Sequence, residues 1–415
     1  MERLVVETIL ATSAAFLTLT VLIVANKAQR EIREGWRRAR RRELEPRVLA
    51  WAHGDAPSVL SVLGGGLAKK DRRVYEEVVL DHVQRVRGVE RERLARTLDE
   101  LGFVDRWRRG LRSKGWWQRA AAAEKLGLAR ASRATEELVA AMKDPMEEVR
   151  LRAAKALGAI GGQGAVEPLV RALAEPNRWS AIRIADILTD LGREVAGELI
   201  DRYPTLNRHG RLAALDILAR VHTIDSSAFL DGRLEDEDRD VRARAAHALG
   251  SIGDPAAAPA LIARLDDAEW PVRAMAAKAL GKIRHVPSIP GLRKAMRDRE
   301  WWVRANAAEA VRAMGEAGIE ALEEMLDDVD VYARHQAVQM LQQSGQLELR
   351  VAQLASPDPG IRSEAEAVVR RIAAIGQMGR LREAAAHHAE ATVRDALAAI
   401  LPSDTDGAES GKGER

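Results

Sequence analysis

The chain has no cysteine among its 415 residues. That excludes disulfides, thiolate zinc sites and a cysteine nucleophile, and it suits a reducing compartment. Aromatics make up only 4%, with three Phe and three Tyr, so aliphatic and alanine contacts have to supply most of the core. The net charge of +3 is small for this length and gives no overall argument for a nucleic-acid partner. None of the nine histidines stands in an HExxH or other metal spacing, so no metal or cofactor is expected. Gly64-Gly65-Gly66 followed by Lys69-Lys70 lacks the Lys-Ser/Thr ending and the preceding strand of a phosphate loop. No catalytic constellation emerges. What dominates is Ala, Arg, Leu and Glu, the composition of a helix-rich chain.

One uncharged apolar run is present, Thr8 to Ala25. Its eighteen residues match the length of a transmembrane helix. Glu7 stands where a signal peptide would be basic, and no small-x-small cleavage site follows. A basic collar comes next: Lys27, Arg30, Arg33, Arg37, Arg38, Arg40, Arg41 and Arg42. The positive-inside rule then predicts a single-pass protein of the inner (cytoplasmic) membrane, with its N-terminus outside and the rest in the cytoplasm. Residues 8–25 and the collar would contact the lipid bilayer. Residues 48–110 read as an irregular helical stem with degenerate repeats. The arginines Arg85, Arg87, Arg91, Arg93, Arg96, Arg106, Arg108, Arg109 and Arg112 suit a membrane-facing surface, an acidic partner or a solvated face.

From about Leu111 a unit recurs. With the Arg of each Val-Arg pair as position zero, related positions are Arg119, Arg150, Ala181, Arg211, Arg242, Arg273, Arg304, Arg334, Arg362 and Arg394. The step is most often 31 residues, a period that marks stacked repeats. An apolar residue lies at +7 every time, and an acid lies at −6 in six units. Each unit reads as two helices. In the clearest copy Asp254-Pro255 caps and opens the first, and Val272, Ala276, Leu280 and Ile283 form one face of the second. Gly253 and Gly315 at +11 suit a left-handed helix end. The acids and arginines predict a structural ladder between turns: Asp144, Arg150, Asp236, Arg242, Asp267, Arg273, Asp298, Arg304, Asp328 and Arg334.

The pattern Asp, then Val-Arg-x-x-Ala-Ala-x-Ala-Leu-Gly-x-Ile-Gly, as in Val149–Gly161 and Val241–Gly253, resembles the HEAT-like repeats of phycobilisome lyases. The resemblance covers roughly Leu111 to Leu401 and implies an all-α, right-handed α-solenoid of about ten two-helix repeats, preceded by the one transmembrane helix. The domain reading is then 1–26 anchor, 27–47 basic juxtamembrane segment, 48–110 stem, 111–401 solenoid and 402–415 disordered tail. HEAT-like chains include bilin lyases, hydroxylases, DNA glycosylases and plain scaffolds, so the resemblance alone leaves the function open. The iron hydroxylases carry His-Glu pairs, and this chain has no His-Glu dipeptide. A glycosylase would need an Asp among aromatics, for which only Asp186 and Asp190 near Trp179 stand near candidate positions.

In such a solenoid the second helices line the concave face. Their outward positions, +2, +5 and +9, carry different chemistry in each unit: Arg152, Lys155, Arg183, Asp186, Asp190, Asp216, Arg244, His247, Lys278, Lys282 and Glu309. A fixed frame with changing side chains is what a protein-binding stripe needs. The plainer reading is a solvated face on which Arg183 pairs Asp186 and Asp216 pairs Arg220 along each helix. Trp116, Trp117, Trp179, Trp270, Trp301 and Trp302 all fall at −3 or −2, which predicts ridge packing between turns, or else an aromatic edge for a partner. The function expected is a membrane-anchored, cytoplasm-facing scaffold or adaptor holding a protein partner or a membrane complex; an enzyme of the bilin lyase or DNA glycosylase type is the alternative.

Overall fold

The computed structural model describes residues 2–54, 59, 66–174 and 178–402, without the side chains of 2–15, 53 and 178–181. Every regular element among the described residues is a helix. The chain divides into two compact units, Met1–Leu169 and Val170–Arg415. The tail assigned to disorder begins at Pro402 and otherwise lies outside the described residues.

In the first unit a single long helix, α1, runs Glu2–His53. It continues through residues 26 and 47, where the sequence suggested boundaries. Its C-terminal end is a packing element: Leu44 is buried with Val74 and Val78 of α2, Arg72–Val83. Part of the basic collar is consumed here. Arg40 donates to both oxygens of Asp71 at 2.9 and 2.8 Å, and Arg41 reaches Asp81 at 2.6 Å. Then follow α3 (Gly88–Glu100) and α4 (Phe103–Gly110). Tyr75, Phe103 and Trp107 make most of the aromatic core of this unit. Buried Glu76 accepts from Trp107 Nε1 at 2.9 Å, from Lys125 at 2.7 Å and from Arg106. It thereby ties the stem to the first repeat helix, α5, Trp116–Leu128.

The membrane placement is corrected. Among the described residues no helix is long and apolar enough to cross a membrane. The first part of the Thr8–Ala25 run lies outside the described side chains. The transmembrane helix, the inner-membrane location and the bilayer as a partner are therefore not carried forward. Phe16, Leu17, Leu22 and Ile23 are exposed on α1.

The repeats alternate a short first helix with a longer second one. After α6 (Thr135–Ala141) come α7 (Glu147–Ile160), α8 (Gln163–Ala172), α9 (Arg178–Asp190), α10 (Glu194–Arg202) and α11 (Arg208–Val221). They are followed by α12 (Ser227–Asp231), α13 (Arg239–Ile252), α14 (Ala258–Ala263), α15 (Trp270–Ile283), α16 (Ile289–Ala295) and α17 (Trp301–Arg312). The series ends with α18 (Glu316–Glu324), α19 (Val331–Gln343), α20 (Gln346–Gln353), α21 (Pro359–Ala374), α22 (Gly379–His387) and α23 (Ala391–Ile400). All ten zero positions fall inside the second helices. Asp254 caps its turn as expected, accepting from the Ala256 amide at 3.0 Å. The first helix it opens is broken up, however, into a 3-10 turn, the six residues of α14, and another 3-10 turn.

Two register positions explain the stacking. At +8, Gly250 lies so close to the next repeat that a Cβ would sit 2.5 Å from Ala279 Cα. Gly281 meets Ala310 and Gly127 meets Ala156 in the same way, at 2.7 and 2.6 Å. The glycine-to-alanine contact lets successive second helices approach, and Val272, Ala276 and Leu280 fill the space beside it with no exposure. At +11 the backbone turns left-handed. Gly253 takes φ 79° there, while Arg130, His222 and Arg284 hold φ 47°, 53° and 58° without being glycine, a conformation that costs an L-residue roughly 1–2 kcal/mol.

Candidate protein-binding surface

The acids and arginines of the ladder pair across units. Arg242 donates to both oxygens of Asp267 at 2.9 Å, and Arg273 does the same to Asp298 at 2.7 and 2.9 Å. Each arginine also caps its own turn: Arg242 Nη1 reaches the Asp236 and Glu237 carbonyls at 2.9 and 3.2 Å. Each acid, in turn, accepts the amide two residues on, as Asp267 does from Glu269 at 2.9 Å. Arg119 and Asp144 make the corresponding pair in the first unit. Elsewhere the rungs change. Arg150 keeps its carbonyl contacts to Asp144 and Pro145, but the −6 acid of the following unit, Glu175, lies outside the described residues. Asp236 accepts from the Asp238 amide. Asp328 is taken by Arg297, while Arg304 lies over the Tyr332 ring at 4.6 Å. Arg334 reaches the Asp328 carbonyl at 2.6 Å.

Burial alone would raise the Asp267 carboxyl, but the Arg242 guanidinium and the Glu269 amide outweigh it and hold it below the ordinary carboxylate range. Asp298 is lowered in the same way by Arg273 and the Glu300 amide.

The variable positions form a surface on the second helices. In the first unit Arg152 pairs with Glu124 at 2.6 Å and with Glu148 at 2.7 Å, and Lys155 is exposed. In the second unit a cleft of about 480 Å³ crosses α9, α11 and α13. Asp186, Asp216, Arg244 and His247 line it, together with Ile182, His209, Leu212 and Arg220. Ion pairs run between helices: Asp186 to Arg220 at 3.0 Å, and Asp216 to Arg244. The pairing expected along one helix, Asp216 with Arg220, is replaced by one across helices.

Arg183 and Asp190 are exposed on α9. Past the cleft the surface turns cationic. Lys278 is exposed on α15, and Lys282 donates to Ser251 Oγ at 3.0 Å. Glu309 is held by Arg312. His247, half-buried between these groups, has its pKa lowered first by burial and then by Lys282 and Lys278, against the opposing pull of Asp216.

The charge at neutral pH therefore comes from the lysines and not from His247. A histidine depressed in the fold binds fewer protons there than when unfolded. Its contribution to stability is full above the unfolded value of about 6.5 and is lost as pH falls below it. Thermal melts at pH 7.5 and 5.5 should accordingly show a smaller acid loss for His247→Gln than for the wild type. Equal losses would place the titration elsewhere.

Ile182, His209 and Leu212 were not legible as cleft residues. Only the register offered a signal, because His209 sits at −2, where other units place Trp. The tryptophans are exposed and do not pack as a ridge: Trp117 by 61%, Trp301 by 52% and Trp302 by 58%. Trp301 and Trp302 meet edge to face at 4.7 Å. The side chain of Trp179 lies outside the described residues. Among the described residues no group of three or more His, Asp or Glu is placed to hold a metal ion.

HEAT repeats match residues 104–187, 198–271 and 258–342, more than half of the chain. The chain belongs to the HEAT repeats family and has an all-α, solenoid-like fold. The match is to HEAT repeats as a whole and does not extend to the phycobilisome-lyase type. No protein of curated function matches the sequence.

Among solved structures, an engineered protein is similar at 20% identity, with 71% of this chain and 97% of that one covered and a TM-score of 0.35. The karyopherin Kap121p bound to the SUMO protease Ulp1p is similar at 12% identity over 86% of this chain and 48% of that one, with a TM-score of 0.45. Kap121p bound to RanGTP gives 12%, 87%, 47% and 0.43. The chain spans about half the length of Kap121p.

Proposed function

We propose that the protein is a scaffold or adaptor that binds a protein partner along the second-helix surface of its second unit, with no catalytic step of its own. The carrying observation is the cleft across α9, α11 and α13 with its cationic continuation on α15. One repeated frame there presents Asp186, Asp216, Arg244, His247, Lys278 and Lys282, each on a helix fixed by buried stacking contacts. The Asp186–Arg220 pair is half-exposed, and such pairs contribute only about 0–1 kcal/mol each. A partner's own charges can therefore exchange for them at little cost. The lysine end suits an acidic stretch of partner, and the arginine–aspartate end suits a stretch of mixed charge.

The test is capture on the immobilised full chain. Wild type is compared with a variant carrying Asp186→Lys, Asp216→Lys, Lys278→Glu and Lys282→Glu, whose circular dichroism is checked first. Proteins held by the wild type and lost with the variant support this surface. Recovery of the same proteins on both would remove it.

A further inference from the structure

A second cleft, of about 590 Å³, lies wholly within the first unit, between the start of α3 and the turn Ala129–Arg133. Five arginines line it against two carboxylates, Glu92 and Asp99. Asp99 is already engaged, accepting from Arg133 Nη1 at 2.9 and 3.2 Å. Arg87, Arg91, Arg96 and Arg130 remain. Arg91 is the telling one. Its Nε is buried with no hydrogen-bond partner, and its Nη2 reaches the Leu128 carbonyl only at 3.5 Å. Burial and the neighbouring charge of Arg130 both disfavour its protonated form. A fold gains nothing from an under-partnered guanidinium placed beside another.

Arg130 adds a second oddity. It occupies the +11 position, where the backbone is left-handed, φ 47°, and where five other repeats carry glycine: Gly161, Gly192, Gly253, Gly315 and Gly345. His222 and Arg284 hold the same position in two further repeats; Arg130 is the one that lines this cleft. The third feature is the opening of α3. Arg87 stands at the N-cap with φ −130° and ψ 168°, and no side chain caps the helix. Arg87 and Gly88, at this uncapped helix start, line the cleft together with Arg91 and Arg130.

We propose that this cleft binds a small phosphate-bearing molecule, with Arg91 and Arg130 on the phosphate and Arg87 and Arg96 beside them. Guanidinium forks match phosphate oxygens in pairs. The volume falls within the roughly 300–1,000 Å³ of small-molecule sites. Ala95, Val104, Ala129 and Ala131 give the cleft an apolar lining for the uncharged part of the ligand. The site is separate from the second-helix surface of the second unit, and it stands or falls independently of the scaffold reading.

The experiment is titration calorimetry of the full chain with inorganic pyrophosphate, with citrate as a matched carboxylate anion. Saturable pyrophosphate binding is expected, and Arg91→Gln and Arg130→Asn should each weaken it about tenfold or more, the effect of losing a charged hydrogen-bonding partner. Asn tolerates the left-handed conformation, so Arg130→Asn should bind worse while melting no lower than the wild type. Arg91→Gln, which removes the buried charge, should likewise leave the melting temperature unchanged or raised. The proposal is overturned by an absence of saturable binding, by equal binding of citrate, or by unchanged affinity in both variants.

Discussion

Asp267→Ala is expected to destabilise the second unit by about 3–5 kcal/mol, the cost of leaving one partner of a buried ion pair unpaired. Asp267 and Arg242 are 5% and 13% exposed, so solvent screens the pair little. The substitution also removes the acceptor of the Glu269 amide, which opens the turn into α15. Arg242 retains two carbonyls, and this favours the lower end of the range. Thermal and denaturant melts should show the loss, and adding Arg242→Met to Asp267→Ala should recover part of it. A loss below that of an exposed pair would mean the ladder is ornamental.

The pH dependence follows from the same group. A carboxyl lowered in the fold contributes stability that is complete above its unfolded value of about 3.9. That stability is lost as pH falls through the lower folded value. The wild type and Asp267→Ala should therefore differ fully at neutral pH and converge only in strong acid.

Gly250→Val should be the other large loss. Overpacking costs typically about 1–3 kcal/mol, and a Cβ at Gly250 would lie 2.5 Å from Ala279 Cα and 2.7 Å from its Cβ. The obstacle on the Cα side is backbone, which cannot swing aside. Gly250→Ala separates packing from helix propensity. Propensity alone predicts a gain of roughly 0.5–1 kcal/mol for Ala over Gly inside a helix, whereas the packing predicts a net loss. Gly197 on α10 has nothing within 4 Å of its Cβ position, and Gly197→Ala should show the gain. If both alanine variants gained stability, the close approach at +8 would be wrong.

The repeat was legible because it is written in local terms. Helical periodicity, Asp-Pro starts and the glycines at +11 each report a constraint felt within one turn of chain, and each is met by a helix or a turn in the fold. The HEAT repeats character followed from the same 31-residue spacing. The apolar run at the N-terminus was read from hydropathy alone, and the membrane placement built on it did not stand, since no helix among the described residues is long and apolar enough to cross a membrane; part of the collar is spent on Asp71 and Asp81. Those acids lie 31 and 40 residues away from Arg40 and Arg41, beyond the reach of any local pattern.

The candidate sites divide in the same way. The sequence by itself determined which positions are scaffold and which vary, because the period fixes what faces the next repeat. Only tertiary structure decided what the variable and charged positions do, because their partners come from neighbouring helices. Arg242 takes its carboxylate from the following unit, 25 residues on, while its own acid turns to cap a turn. Asp186 finds Arg220 across the stack, 34 residues away. Arg91 and Arg130 belong to different helices' ends and meet only when the stem folds against the first repeat. Local sequence sets backbone geometry through interactions of a few residues; charge partners are chosen by whichever side chain the stacking brings within a few ångströms.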